Sequence, residues 1–429
     1  MRARLPRWFD MQTRTGPFTW WQKTPLYARI LGAMALGVAL GLALGSHAGP
    51  LSIPSKLVLR LLGALAPALV LFAIVQALVN ARLEQGKAKR LVRLLTLNTL
   101  VAIFIGLMVA NVVQPGRWSS MLQPSASAAA EHAKGKPDML GQFLENVPKS
   151  LLGPLTDDGK VIGVIFLGIA FGLALRKSAH RPVSSVKDAV DIGLEALISV
   201  LHFVIELVPI AVLGLVASIV GVQGFAPFGA LGAFILAVLL ALLLHSAYYL
   251  TRIRFGSWVA PFSLLRDTRD ALLMAFSTGS STVTMPLTYE RLTKGVGLRE
   301  ESASLGALVG ANFNNDGTAL YEAMAALFVS QLVVAQGLGH ELTISQQLMV
   351  VLTSVVASVG AAGIPEAGLV TMTLVFNAVD LPIEYIALLL PVDWFLDRCR
   401  TVINVLGDMN VSCMLDGQHR AQVTPDVPT

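Results

Sequence analysis

The residue pattern predicts an all-α membrane protein, and three observations carry that prediction. Hydrophobic residues make up 54% of the chain and charged ones only 14%, which is far from the make-up of a soluble domain. Apolar stretches at residues 28–44, 57–79, 94–113, 161–175, 194–222 and 228–250 run to about 15 to 30 residues, and most are long enough to cross a hydrocarbon core of about 30 Å as helices. Between residues 255 and 416 the pattern changes, because two apolar segments are interrupted at the middle by small residues and a proline.

The first stretch reads as a retained helix and not a signal peptide, since some two dozen polar and aromatic residues precede it and no small-residue cleavage site ends it. Lys and Arg crowd the N-terminal arm, residues 82–93, residues 176–187, and Arg252 with Arg254. By the positive-inside rule these lie in the cytoplasm, so the N-terminus is inside and the first six spans alternate without conflict. The net charge of +5 therefore reports topology, and with no nucleic-acid motif beside it no nucleic acid is expected as a partner. Residues 124–136, rich in Ala, Ser and Lys, read as an external polar loop, and the tail after Asp416 reads as a disordered end. Cys399 and Cys413 have neither metal-ligand spacing nor the look of a disulfide framework, and are read as packing residues.

The two interrupted segments are residues 271–292, around Ser277-Thr278-Gly279-Ser280-Ser281-Thr282, and residues 347–379, around Gly360-Ala361-Ala362-Gly363-Ile364-Pro365. Each arm is too short to span a bilayer, so each segment reads as a re-entrant helical hairpin with its tip at membrane depth. Arg266, Arg269, Arg291, Lys294 and Arg299 bracket the first and place its ends in the cytoplasm, whereas Glu341, Asp380 and Glu384 bracket the second. The hairpins thus enter from opposite faces. Each is followed by a helix carrying intramembrane polar residues, which makes an inverted repeat of hairpin plus helix. Broken segments at corresponding positions of such a repeat point to a transporter's binding site, because non-helical backbone at depth is tolerated where it lines a cavity or is buried in protein. Ordinary loops or helix-packing surfaces are the other reading of such small-residue tips.

In the last apolar helix Asp393, Asp397, Arg400, Thr401, Asn404 and Asp408 fall along one stripe at helical periodicity. Each charge at the bilayer centre costs about 2.5 to 3.5 kcal/mol even on the generous insertion scale, so the stripe demands partners and a wet, functional setting. Arg400 is the natural clamp for a carboxylate, because its planar fork donates two parallel hydrogen bonds; the alternative is a simple pair with Asp397 one turn earlier. Arg398 points roughly 200° away from Arg400 and is not expected to share its ligand. In the preceding helix the run from Asn312 through Asn314, Asn315, Asp316, Gly317 and Thr318 to Glu322 cannot sit in lipid as a plain helix. A locally unwound stretch there would offer oxygens to a hard cation, with Asp316 as the anionic ligand. Glu322 stands four residues after Thr318 on the same face, and is either a proton carrier or the structural partner of an arginine.

These residues carry a resemblance. Four motifs, the serine-rich tip 277–286, the Asn-Asp-Gly-Thr run 314–318, the Ala-Ala-Gly-Ile-Pro tip 361–365, and Asp393-Trp394-Phe395-Leu396-Asp397-Arg398-Cys399-Arg400-Thr401 continuing to Asp408, resemble the dicarboxylate/amino acid:cation symporter family. That family includes bacterial glutamate carriers, archaeal aspartate transporters and animal excitatory amino-acid transporters, and the resemblance covers nearly the whole chain. It implies substrate contacts at Gly279 and Ser281 on one tip and Ile364 and Gly368 on the other, with Thr318, Asp397, Arg400, Thr401 and Asn404 completing the pocket. Asp397 would meet the substrate amino group and Arg400 its side-chain carboxylate; relatives that carry plain C4-dicarboxylates typically lack the former, which favours an amino acid. Glu322 matches the residue thought to carry the proton in the animal transporters, and Arg398 follows the animal pattern.

For the coupling ions, Na+ and/or H+, the resemblance implies three cation sites and no other cofactor. Gly310, Asn314, Asn404 and Asp408 match one; Asn98, Thr99, Asn314 and Asp316 match a second, with Leu95 where an aromatic is usual and Asn98 where a threonine is usual. Ser358, Val359 and Ala361 supply tip carbonyls to a third, with Asn312 in place of a threonine and Asn315 in place of a methionine. The family fold implies eight transmembrane helices plus two re-entrant hairpins with inverted repeats. Residues 1–24 become a cytoplasmic arm, 25–255 hold helices 1–6, 256–416 form the transport core and 417–429 a cytoplasmic tail. Helices 1, 2, 4 and 5 would be a trimerising scaffold; helices 3 and 6 would join the core, which slides against that scaffold with the hairpins as gates.

The expected function is symport of glutamate or aspartate with cations in the cell inner membrane, both termini cytoplasmic. Its first rival is a C4-dicarboxylate symporter. An intramembrane hydrolase using Ser280 or Ser281 needs a base beside the serine, and no His occurs in either hairpin or the last two polar helices, nor does a Gly-x-Ser-x-Gly elbow. An anion channel is a further reading, and a leak conductance is compatible with transport.

Overall fold

The computed structural model describes residues 24–80, 85–121, 151, 171, 174–175, 183–335, 337, 340–360 and 367–419, and every regular element among them is helical. The loop 124–136, most of the expected span 161–175, the arm before residue 24, the tip 361–366 and the tail after residue 419 lie outside the described residues. Twelve helices matter below: α1 Leu26–Leu44, α2 Ile53–Asn80, α3 Gln85–Val113, α4 Val186–Ile205, α5 Val208–Gln223, α6 Ala226–Gly256, α7 Arg269–Thr278, α8 Ser281–Glu290, α9 Asp316–Ala335, α10 Ile344–Gly360, α11 Ala367–Ala378 and α12 Leu390–Asp416. Five segments among the described residues are long and apolar enough to cross a membrane: Leu26–Leu65, Lys89–Trp118, Val186–Val222, Phe228–Gly256 and Glu300–Ala335.

Helices α1, α2, α4 and α5 pack on one another, and α3, α6 and α7 to α12 pack on one another. The two groups meet chiefly where α10 and α11 lie along α2. Close approach of α1 to α5 depends on Gly37 and Gly41, one turn apart, because a methyl group on either would stand 2.7 Å from a carbonyl oxygen of α5. Small residues on one stripe are how helices approach where apolar burial gives no preference for protein over lipid.

The expected single span 194–222 is two helices in the structure. A capping box starts α4: the Ser185 hydroxyl accepts from the Asp188 amide while the Asp188 carboxylate accepts from the Ser185 amide. The helix stops at Ile205 because Pro209 has no N–H for that carbonyl, and its ring would collide with the same group were the helix to continue. Arg29 of α1 pairs through two nitrogens with Glu206 in this break.

The first interrupted segment is a helix–turn–helix. Helix α7 ends at Gly279, whose φ of 62° and ψ of 23° place it in the left-handed region that a side chain disfavours by about 1–2 kcal/mol. Ser280 then caps α8, its hydroxyl accepting from the Val283 amide. In the second segment α10 packs against α11, and residues 361–366 between them fall outside the described residues. A π-helical stretch, Ser304–Val309, runs into a single turn, Gly310–Phe313, before the chain leaves the helical region at Asn314 (φ −98°, ψ 70°) and resumes as α9. The expected unwinding is therefore confined to Asn314 and Asn315, and the residues from Asp316 to Glu322 are helical. Every residue of α9 from Asp316 to Val333 is buried, which explains how so polar a run is held inside the protein.

Candidate substrate and cation site

Helix α12 supplies the centre of the site. Its stripe is buried along its whole length, from Asp393 and Asp397 through Arg400, Thr401 and Asn404 to Asp408, and Arg400 is the largest side chain in the described structure with no exposure at all. The Arg400 Nη2 donates to Asp393 Oδ1 at 3.0 Å and to Asp397 Oδ1 at 2.9 Å, while its Nε and Nη1 have no hydrogen-bond partner. Its guanidinium lies 4.0 Å from the centre of the Tyr321 ring, a cation–π contact the sequence reading missed. Gly368 of α11 is the other wall, since a methyl group there would stand 2.8 Å from Nη1. The pairing of Arg400 with Asp397 is thus present, and Nη1 remains without a hydrogen-bond partner beside Gly368. Arg398, by contrast, lies over the Trp394 ring and donates to the Trp394 carbonyl, away from the site.

Most of the other expected pocket residues gather here. The Thr401 hydroxyl donates to the Asp397 carbonyl at 2.8 Å, Asn404 Oδ1 accepts from the Gly317 amide at 2.8 Å, and Asn404 Nδ2 approaches Thr318 Oγ1 at 3.5 Å. On the first tip, beside Gly279, the Ser281 hydroxyl donates to the Ala311 carbonyl at 3.2 Å. Ile364 lies outside the described residues. Glu322 has no arginine as an ion-pair partner among the described residues; one of its oxygens accepts from the Thr371 hydroxyl of α11 and the other, Oε2, has no partner.

Three oxygen clusters surround the break before α9. Asn314 Nδ2 donates to the Asn404 carbonyl at 3.2 Å and to Asp408 Oδ1 at 3.1 Å, and a methyl group on Gly310 would stand 2.9 Å from that same Asp408 oxygen, so the first expected cation set converges. In the second, Asp316 Oδ1 accepts from the Thr99 hydroxyl at 2.6 Å, whereas Asn98 is turned to other partners. In the third, Asn315 Nδ2 donates to the Ser358 carbonyl at 2.9 Å; Val359 is still helical, in the last turn of α10, and Ala361 is outside the described residues. Among the described residues no Lys or Arg forms an ion pair with Asp316 or Asp408, and no group of three or more His, Cys, Asp or Glu is placed to hold a metal. Two buried carboxylates without a fixed counter-charge suit a monovalent cation held by hard oxygens.

Sequence reasoning missed His245 and Tyr249 of α6, and took Arg252 only as a cytoplasmic flanking charge. A signal was there: the three recur at spacings of four and three, on one face of an otherwise apolar span, where a polar group is functional by default.

The sodium:dicarboxylate symporter family model matches residues 26–418. The chain belongs to that family. Among curated relatives of this chain, excitatory amino acid transporter 4 of Mus musculus is 39% identical over 250 residues, covering 58% of this chain and 44% of the relative. Excitatory amino acid transporter 3 of Homo sapiens is 37% identical over 261 residues, 60% and 48% of the two chains, and excitatory amino acid transporter 1 of Homo sapiens is 34% identical over 289 residues, 63% and 52%. The chain spans about half the length of the curated relatives it matches. The family is one of transporters, so the hydrolase reading falls away.

Proposed function

We propose that this chain is a secondary symporter of acidic amino acids, glutamate or aspartate, driven by Na+ and/or H+. The observation that carries the proposal is Arg400: a guanidinium with no solvent contact, still holding unpartnered Nε and Nη1 donors beside Gly368. A carboxylate is the ligand that such donors recognise, and burial makes an unmatched one expensive. Asp393 and Asp397 outnumber the one guanidinium, so the cluster has room for a positive charge as well; a substrate ammonium at Asp397 supplies it and a plain dicarboxylate does not. The family's description, which names dicarboxylates, supports C4-dicarboxylate transport as the second reading.

In this proposal the substrate sits between the tip at Gly279 and Ser281 and the tip that holds Ile364 and Gly368, with Thr318, Thr401 and Asn404 fixing its orientation. Cations bind at Asp408 with Gly310, Asn314 and Asn404, at Asp316 with Thr99, and at the carbonyls of Ser358, Val359 and Ala361; Glu322 carries a proton. Eight spans and two re-entrant hairpins divide into a scaffold of spans 1, 2, 4 and 5 and a transport domain of the rest. The packing of α1 and α2 with α4 and α5, the two halves of span 5, apart from the other helices supports that division. The transport domain slides against a trimeric scaffold in the inner membrane, with both termini cytoplasmic.

Counterflow of labelled glutamate, aspartate and succinate into proteoliposomes, under imposed sodium or proton gradients, tests the proposal. Glutamate or aspartate is expected to exchange and succinate to fail; preferential succinate exchange establishes the dicarboxylate reading in its place, and exchange of none of the three overturns both.

A further inference from the structure

The buried carboxylate of Asp316 has two oxygens and two hydroxyl donors. Thr99 of α3 serves Oδ1 at 2.6 Å, and the phenol of Tyr249, on α6, serves Oδ2. Tyr249 has no exposure, and its ring packs 4.3 Å from that of His245. Asn314 lies alongside, since a methyl group on Gly407 would stand 2.3 Å from Asn314 Nδ2 and 2.6 Å from the Tyr249 hydroxyl. With its amide nitrogen committed to Asn404 and Asp408, Asn314 leaves its side-chain oxygen buried and without a partner. His245 Nε2 is 3.9 Å from Asp316 Oδ2, and neither imidazole nitrogen has a hydrogen-bond partner. Asn98, expected in this cluster, is engaged elsewhere: its oxygen accepts from Arg252 and its nitrogen approaches Asn410 Oδ1 at 3.4 Å.

We propose that Tyr249 is a cation ligand, contributing its phenol oxygen with Asp316, Thr99 and Asn314 to a sodium site, while Arg252 holds Asn98 out of the ligand set. The inference rests on the sodium coupling put forward above and changes which residues perform it. A hydroxyl that donates its proton to a carboxylate keeps lone pairs for a metal ion, so the bonds to Asp316 aim the Tyr249 and Thr99 oxygens rather than consume them. One carboxylate with three neutral oxygens matches a single positive charge, whereas divalent ions draw on more carboxylates. The aromatic residue expected near position 95 is thereby replaced in space from another helix: Leu95 is an apolar packing residue, and Tyr249 arrives from α6.

The test compares full-length parent and Tyr249→Phe in detergent, measuring the sodium concentration for half-maximal binding of labelled substrate and the substrate affinity at saturating sodium. Loss of a direct ligand weakens a metal site by at least what loss of an outer partner does, so the half-saturating sodium is expected to rise by about tenfold or more. At saturating sodium, substrate affinity returns to the parent's, which also shows that the variant is folded. An unchanged sodium requirement in Tyr249→Phe, with a sodium-dependent parent, overturns the role of Tyr249 and leaves the coupling reading standing. A parent that binds substrate with no sodium response overturns both. Should Tyr249→Phe fail to fold, Tyr249→His, which keeps a donor toward Asp316 but not the phenol oxygen, must show the same rise; an unchanged requirement there overturns the proposal equally.

Discussion

Arg400 is held as a charge among charges. Two carboxylates on one of its nitrogens and the face of Tyr321 beneath it keep the guanidinium in place without spending its remaining donors. Replacing it by Ser leaves Asp393 and Asp397 buried without their cation and removes the donors that a substrate carboxylate needs. Breaking a buried pair costs about 3–5 kcal/mol, so acidic-substrate binding in Arg400→Ser is expected to fall by more than about 100-fold. Uptake of small neutral amino acids is the expected residual activity, and undiminished glutamate or aspartate uptake would sink the assignment. Glu322 presents a different case, a carboxyl with one oxygen on Thr371 and the other unspent. A charge carried through low dielectric is expensive, so a carboxyl there crosses neutral and must release its proton to reset. Glu322→Gln is permanently neutral: exchange of labelled for unlabelled substrate is expected to survive, while net uptake stops responding to an imposed proton gradient. Paired measurement of the two in the same vesicles decides it, and proton-driven accumulation equal to the parent's would return Glu322 to a structural role.

At the scale of elements, α7 and α8 form a pair of ten-residue helices about a left-handed glycine, and α10 and α11 form a second pair. None of these arms reaches the 20 or so residues of a full span; Ser281 at the start of α8 reaches the Ala311 carbonyl ahead of α9, and Gly368 of α11 lies against Arg400 of α12. The opposite charge of their flanks predicts opposite accessibility. In a background lacking Cys399 and Cys413, Ser280→Cys is expected to react with a membrane-impermeant thiol reagent from the cytoplasmic side and Gly363→Cys from the external side. Substrate should protect both. Labelling of each from the reverse side, or no protection under any cation condition, would show that the tips are not gates.

Across the whole molecule, the meeting of α2 with α11 is where the proposed scaffold and transport domain touch. Gly63 of α2 faces Thr373 of α11 so that a Cβ at Gly63 would lie 3.9 Å from the Thr373 Cβ, within the usual span of a disulfide. In the same cysteine-free background, Gly63→Cys with Thr373→Cys is expected to cross-link on oxidation. If the domains slide past one another, the cross-link halts transport and leaves substrate binding intact, and reduction restores transport. Full transport by the quantitatively cross-linked protein would mean that α11 does not move against α2.

Composition and periodicity alone determined the membrane class, the apolar lengths of α1, α2, α3 and α6, and the stripe of α12, because burial in lipid or protein forces apolar length and helical spacing onto the chain. The turn between α7 and α8 was legible in its Gly and Ser residues, which stop one helix and cap the next. Local chemistry also placed the break at α9, though not its brevity, which depends on how completely the protein surrounds Asp316 to Val333. Only the tertiary structure decided which polar groups meet. Pro209 divides one expected span into α4 and α5; Thr371 answers Glu322 across two helices; Tyr321 lies beneath Arg400; and Tyr249 reaches Asp316 while Arg252 draws Asn98 away. Such pairings join residues distant in sequence, and periodicity reports which face of its own helix a residue occupies but not which helix lies opposite, so the partners of a buried charge become visible only when the helices are packed.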